Sequence, residues 1–189
     1  ASFMGWTDAA INGTQSEAPT FVTSATMGNS DVTFYAVFAS VTPGTATTVT
    51  DVLTRETTGV TSANSYSNWS SKTSNSDAVY AGNSAGGNDA IQLRSNNNNS
   101  GVVTTASGGK AKNVTISWNS NTTSGRVLDI YGKNSAYSAA SDLYNSNNQG
   151  TELGSVTYGT STELSITGDY QFIGMRSNNG AMYITSISI

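Results

Sequence analysis

The sequence predicts an all-β protein, a β-sandwich or jelly roll, on three observations. Apolar residues arrive in alternating bursts along most of the chain, the period of strands with one buried face. Ser, Thr, Asn and Gly fill the gaps between the bursts, and there are only two prolines in 189 residues. No stretch sustains the 3.6-residue apolar period of an amphipathic helix.

Each element follows from its own pattern. In DVTFYAVFASV, residues 31–41, Val32, Phe34, Ala36 and Phe38 share one face and Tyr35 and Val37 the other. Apolar on both faces, the segment is expected to be a central strand covered twice. Residues 42–50, TPGTATTVT, break the pattern at Pro43-Gly44 and read as a Thr-rich linker. The linker divides residues 1–41 from a main domain at 51–189.

In that domain, strands are expected over 89–95, 100–106, 112–118, 125–132, 162–167, 170–177 and 181–189. Val114, Ile116 and Trp118 point inward in the third of these, and Leu128 and Ile130 oppose Val127, Asp129 and Tyr131 in the fourth. The last segment breaks strict alternation near Thr185-Ser186, which predicts a bulge. Gly108-Gly109 and Asn179-Gly180 are hairpin-turn dipeptides. YSAASDLY, residues 137–144, has room for one helical turn. AGNSAGGN, residues 81–88, lacks the Lys-Ser/Thr of a phosphate loop and reads as a plain loop.

Composition excludes several function classes. Charged residues make up 11% of the chain, the net charge is −4, and the eight Lys and Arg are scattered, which speaks against nucleic acid. No apolar run approaches the roughly 20 residues that span a bilayer, so no membrane insertion is expected. There is no His and no Cys. Ser-His-Asp and thiolate catalysis are therefore impossible within the chain, as is a disulfide framework. The expectation is a protein that is not an enzyme.

The carboxylates point the same way. Asp129 in VLDIYG and Asp169 in GDYQF are expected in structural ion pairs with Arg126 or Arg176. Asp51, Asp89 and Asp142 are weak calcium candidates in company with loop carbonyls, although no D-x-D-x-D-G loop is present. No cofactor is expected beyond such a structural calcium.

Aromatic residues offer one binding hypothesis. Trp69 in YSNWSSK and Tyr137 in NSAYSAA sit in polar stretches read as loops. An exposed ring there would stack on a sugar face, with Tyr66, Arg94 and Asn96 as neighbours for a glycan. The competing reading has Trp69 closing one open end of the sandwich. Trp6 and Trp118 are expected in the core.

Two family resemblances add to this. FMGW, residues 3–6, followed by VTFYAVFA, residues 32–39, resembles the second half of a Listeria–Bacteroides repeat, a small β-grasp-like module of bacterial surface proteins. The family's Gly-rich opening strand, which should precede Phe3, is missing, so a partial β-grasp-like module is expected at 1–41. Residues 51–189 resemble bacterial surface β-jelly-roll modules similar to carbohydrate-binding modules. AVYAGNSAGGNDAIQLRS, GRVLDIYGKNSAYS and GDYQFIGMRSNNGAMYITSISI carry that likeness.

Both resemblances imply an extracellular or cell-surface protein of bacterial origin. The expected function is structural or adhesive and non-catalytic: a fibre subunit that adds to another copy of itself, head to tail, by strand complementation. Phe3, Trp6, Val32, Phe34 and Phe38 would form the assembly edge. The alternative is a carbohydrate-binding module that anchors a secreted protein to surface glycans.

Overall fold

The alternating bursts of the sequence become strands with one face in a core. A computed structural model describes residues 1–40, 47–72 and 75–189. The Pro43-Gly44 break and the first half of the Thr-rich linker lie outside the described residues. The chain forms two compact units, Ala1–Thr48 and Val49–Ile189.

In the first unit β1 (Ser2–Thr7) pairs antiparallel with β2 (Tyr35–Ala39), with a register slip between Phe3 and Gly5. Gly5 at the slip is required by packing, because a Cβ there would lie 2.7 Å from Phe21 Cδ1. The Val22 N–H donates to the Trp6 carbonyl at 2.8 Å and covers part of the outer edge of β1. The outer edge of β2 has no backbone partner among the described residues. The expectation of a central strand covered twice is thus corrected: β2 is an edge strand, with Tyr35 41% and Phe38 61% exposed. Trp6, expected in a core, is 50% exposed. The physical reason is that a two-stranded sheet has no second layer of its own to bury its aromatics. No apolar side chain of this unit is fully buried among the described residues.

The second unit is an antiparallel two-sheet sandwich. Its strands are β3 (Val52–Thr54), β4 (Ser67–Lys72), β5 (Val79–Ser84), β6 (Ile91–Arg94), β7 (Gly101–Ala106) and β8 (Asn113–Trp118). After them come β9 (Val127–Lys133), β10 (Thr151–Thr157), β11 (Glu163–Ser165), β12 (Phe172–Ser177) and β13 (Ala181–Ser188). One sheet runs β10-β9-β12-β7-β5-β4. The other runs β11-β8-β13-β3, with β6 also paired to β13. Leu128, Ile130, Ile173 and Met175 from the first sheet pack with Leu93, Ile116, Met182 and Ile184 from the second, each at most 1% exposed. Full burial of such a side chain contributes about 1.5–3 kcal/mol, which makes this layer the main source of stability.

The β13 bulge is present, as a register slip between Ile184 and Ser186. The two dipeptides read as hairpin turns are different: Gly108-Gly109 links β7 to β8 and Asn179-Gly180 links β12 to β13, and each link crosses from one sheet to the other. The backbone turns sharply at both, with φ of 127° at Gly109 and 71° at Gly180, but the strands it joins do not pair. The loop read at residues 81–88 is corrected over its first half, because Ala81–Ser84 belong to β5, between β4 and β7. Gly82 is there for contact and not for a turn: a Cβ on it would lie 2.5 Å from Trp69 Cζ2.

The other face of the six-stranded sheet carries a smaller cluster of Val103, Tyr131, Tyr137 and Leu143. The last two come from the β9–β10 connection, where the helical turn expected near 137–144 is a 3-10 turn over Ala140–Tyr144.

Candidate functional site

Side-chain alternation sets the site. Trp69 points into the core, so Asn68 on the same strand faces the opposite side. Ile91 and Leu93 are core residues of β6, which turns Arg94 outward. The Arg94 guanidinium carbon lies 4.2 Å from the centre of the Tyr66 ring, a cation–π stack. The Arg94 N–H donates to Ser100 Oγ at 3.1 Å, closing a turn that presents Asn96 to solvent.

Two polar atoms of this stack, and one of the Asn68–Asn83 pair on β4 and β5, have no partner among the described residues. Tyr66 Oη and Arg94 Nε are buried and unbonded, and Arg94 makes no ion pair among the described residues. Asn83 is 6% exposed and donates through Nδ2 to Asn68 Oδ1 at 2.8 Å. Its own Oδ1 has no partner. Burial pushes the Tyr66 phenol up to about 12; Arg94 opposes the shift, and Tyr183 and Tyr144 add to it.

Two of the five residues expected to bind a glycan are thus brought into contact, Tyr66 and Arg94, with Asn96 in the adjoining turn. The other two are not free rings. Trp69 lies inside β4, is 8% exposed, and donates through Nε1 to Ser84 Oγ at 3.1 Å. Tyr137 is 2% exposed and donates to the Gln149 carbonyl at 2.7 Å, with Lys133 Nζ 4.0 Å from its ring centre. For Trp69 the burial agrees with the competing reading rather than with the exposed ring, and the polar stretch around each ring does not expose it, since on a strand or beneath a strap a polar neighbour faces away from a buried ring.

The carboxylates are dispersed. Asp129 is 4% exposed and accepts from Asn178 Nδ2 at 2.8 Å, and it makes no ion pair among the described residues. Arg176, opposite it in the ladder, donates to the Leu143 carbonyl at 2.9 Å and to Tyr131 Oη at 3.0 Å. Asp169 pairs with Lys110 at 2.9 Å, and that bond holds its carboxyl below the usual range. The expected arginine pairings are replaced by these.

The three calcium candidates do not meet either. Asp51 accepts from Ser76 and Tyr80, Asp89 pairs with Arg55 at 3.1 Å, and Asp142 accepts from the Ser138 N–H at 2.7 Å. Among the described residues no group of three or more His, Cys, Asp or Glu side chains gathers to hold a metal ion.

The first unit holds the other candidate surface. The Phe3 ring centre lies 5.5 Å from that of Trp6 and 5.7 Å from that of Phe38, both edge-on. Phe3 is 52% exposed. Phe34 is half-buried and, with Trp6, Val22 and Ala25, lines an open groove of about 310 Å³. Val32 is exposed and precedes β2. Among the described residues no helix is long and apolar enough to cross a membrane. Comparison of the chain with family models, curated proteins and solved structures returns no match.

Proposed function

We propose that the protein is a non-catalytic extracellular or cell-surface protein with a structural or adhesive role, and that it associates with further copies of itself through the two-stranded β1–β2 sheet. The observation that carries this reading is the outer edge of β2, unpaired among the described residues, beside the exposed Phe3–Trp6–Phe38 cluster. An edge strand offers a row of free N–H and C=O groups, and a neighbouring strand can complete both the ladder and the apolar cover. Contacts of this head-to-tail kind propagate into a filament when the rotation does not close.

Electron microscopy and sedimentation of the chain, beside Phe38→Asp, test it. Filaments or higher oligomers that Phe38→Asp dissolves, with the melting of the sandwich unchanged, are the expected result. A monomer at all concentrations overturns it.

A second reading, carbohydrate binding by the sandwich, is favoured by one observation. The Tyr66–Arg94 stack and the Asn68–Asn83 pair carry polar atoms that nothing among the described residues satisfies.

A further inference from the structure

We infer that the Tyr66–Arg94 platform receives the carboxylate of an acidic saccharide, a uronic acid unit within a polysaccharide. This deepens the carbohydrate-binding reading of the same residues and rests on it.

The argument starts from the arginine. Arg55 has Asp89 as its acceptor, and Arg176 has the Leu143 carbonyl and Tyr131 Oη. Arg94 and Arg126 have no side-chain acceptor among the described residues, and of these two it is Arg94 that is held against an aromatic ring, that of Tyr66. A guanidinium fixed in this way has already lost much of its rotamer freedom. Its planar fork matches the two oxygens of a carboxylate, and such a charge-assisted pair is about twice as strong as a neutral hydrogen bond.

The surroundings indicate what the carboxylate is attached to. Asn68 and Asn83 lie along the strands beside Tyr66, and Asn96 projects from the turn after Arg94. Amides both donate and accept, which suits a ligand rich in hydroxyls. Asn68 and Asn96 are exposed, where a ligand hydroxyl can reach them. With a chain charge of −4, the overall field does not draw anions in, so recognition has to come from the fork itself.

The test is affinity electrophoresis and calorimetry of the whole chain with polygalacturonate and alginate, each beside its carboxyl-reduced form and beside dextran sulfate. Binding to an acidic polymer that weakens at least about tenfold on carboxyl reduction and in Arg94→Gln is expected, the scale of one lost charge-assisted bond. Arg94→Lys, which keeps the charge and loses the fork, falls between. Asn96→Asp, an exposed change that leaves the fold alone, also weakens binding by placing a like charge beside the ligand.

Equal binding to acidic and carboxyl-reduced polymers overturns the inference and leaves the carbohydrate-binding reading standing. A preference for dextran sulfate overturns it as well. Acid-specific binding that Arg94→Gln does not alter, at unchanged melting temperature, removes the site from these residues. Binding to none of the polymers overturns both the inference and the reading beneath it.

Discussion

Tyr80 donates its phenolic hydrogen to Asp51 Oδ2 at 2.8 Å, and this bond ties β5 of one sheet to the residue that pairs with the last of the chain. The backbone of Asp51 exchanges hydrogen bonds of 2.9 and 3.0 Å with Ile189, and its carboxylate also accepts from the Ser76 N–H at 3.0 Å and Ser76 Oγ at 2.5 Å. One buried carboxylate therefore joins both sheets and the β4–β5 connection. Asp51→Asn turns an acceptor-only group into one with two donors facing donors. We expect a loss of about 1–3 kcal/mol, the scale of a buried polar group left unsatisfied. Urea unfolding measures it. Tyr80→Phe removes one donor and leaves the others, so a smaller loss is expected.

Leu143 packs against the bare α-carbon of Gly174, where an added Cβ would collide with Leu143 Cδ2 and lie 3.0 Å from Tyr137 Cζ. Gly101 on the neighbouring strand gives Leu143 the same room, with a Cβ there 2.7 Å from Leu143 Cδ1. The two glycines let the β9–β10 connection seat its leucine on the sheet. Gly174→Ala is expected to cost about 1–3 kcal/mol by overpacking, and Leu143→Ala about 2–5 kcal/mol by leaving a cavity. Because Leu143→Ala removes the collision, the double variant loses less than the sum. A double-mutant cycle from denaturant melts checks this.

Trp69→Ala is expected to unfold rather than to blunt a binding site. The ring is 8% exposed, lies over Gly82 and bonds Ser84 Oγ, so truncation empties a large part of the core edge at a cost of about 3–5 kcal/mol. Calorimetric melting reads the loss. A Trp69→Ala protein that melts like the parent would show the ring to be peripheral.

Much of the architecture was legible because period-2 patterning survives wherever one face is buried. The β8 and β9 alternations, the all-β class and the β13 bulge were all readable from apolar spacing. What was not legible depended on partners distant in sequence. The Asn179-Gly180 dipeptide specifies a tight turn, but whether the next strand pairs or crosses to the other sheet is decided by packing that no local signal carries. The glycine of β5 looks like part of a loop because its reason, the Trp69 ring against Gly82, sits thirteen positions away. Tyr66 and Arg94 do meet, while Trp69, for which the sequence leaves open an exposed ring or a cap on the sandwich, is buried, and Tyr137 is buried as well, because polar neighbours in sequence do not reveal which side a ring faces.

Alkaline stability offers the last prediction. Burial raises the phenols of Tyr66 and Tyr144 to about 12, and those of Tyr80, Tyr131 and Tyr137 are raised as well, all from the ordinary value of 10.0. For a group whose native pKa is raised, the unfolded chain releases its proton first as pH climbs. The native state then holds more protons than the unfolded one, so stability falls with increasing pH. Below pH 10 both states keep the phenols neutral and the curve is flat from this source. Between about pH 10 and 12 several tyrosines act together, so the decline is expected to be steep. Melting temperatures at pH 8, 10, 11 and 12, followed with tyrosinate absorbance, measure it. A tyrosinate signal that reaches its full height only with unfolding is the expected outcome. Full ionisation near pH 10 in a still folded protein would contradict the burial of these rings.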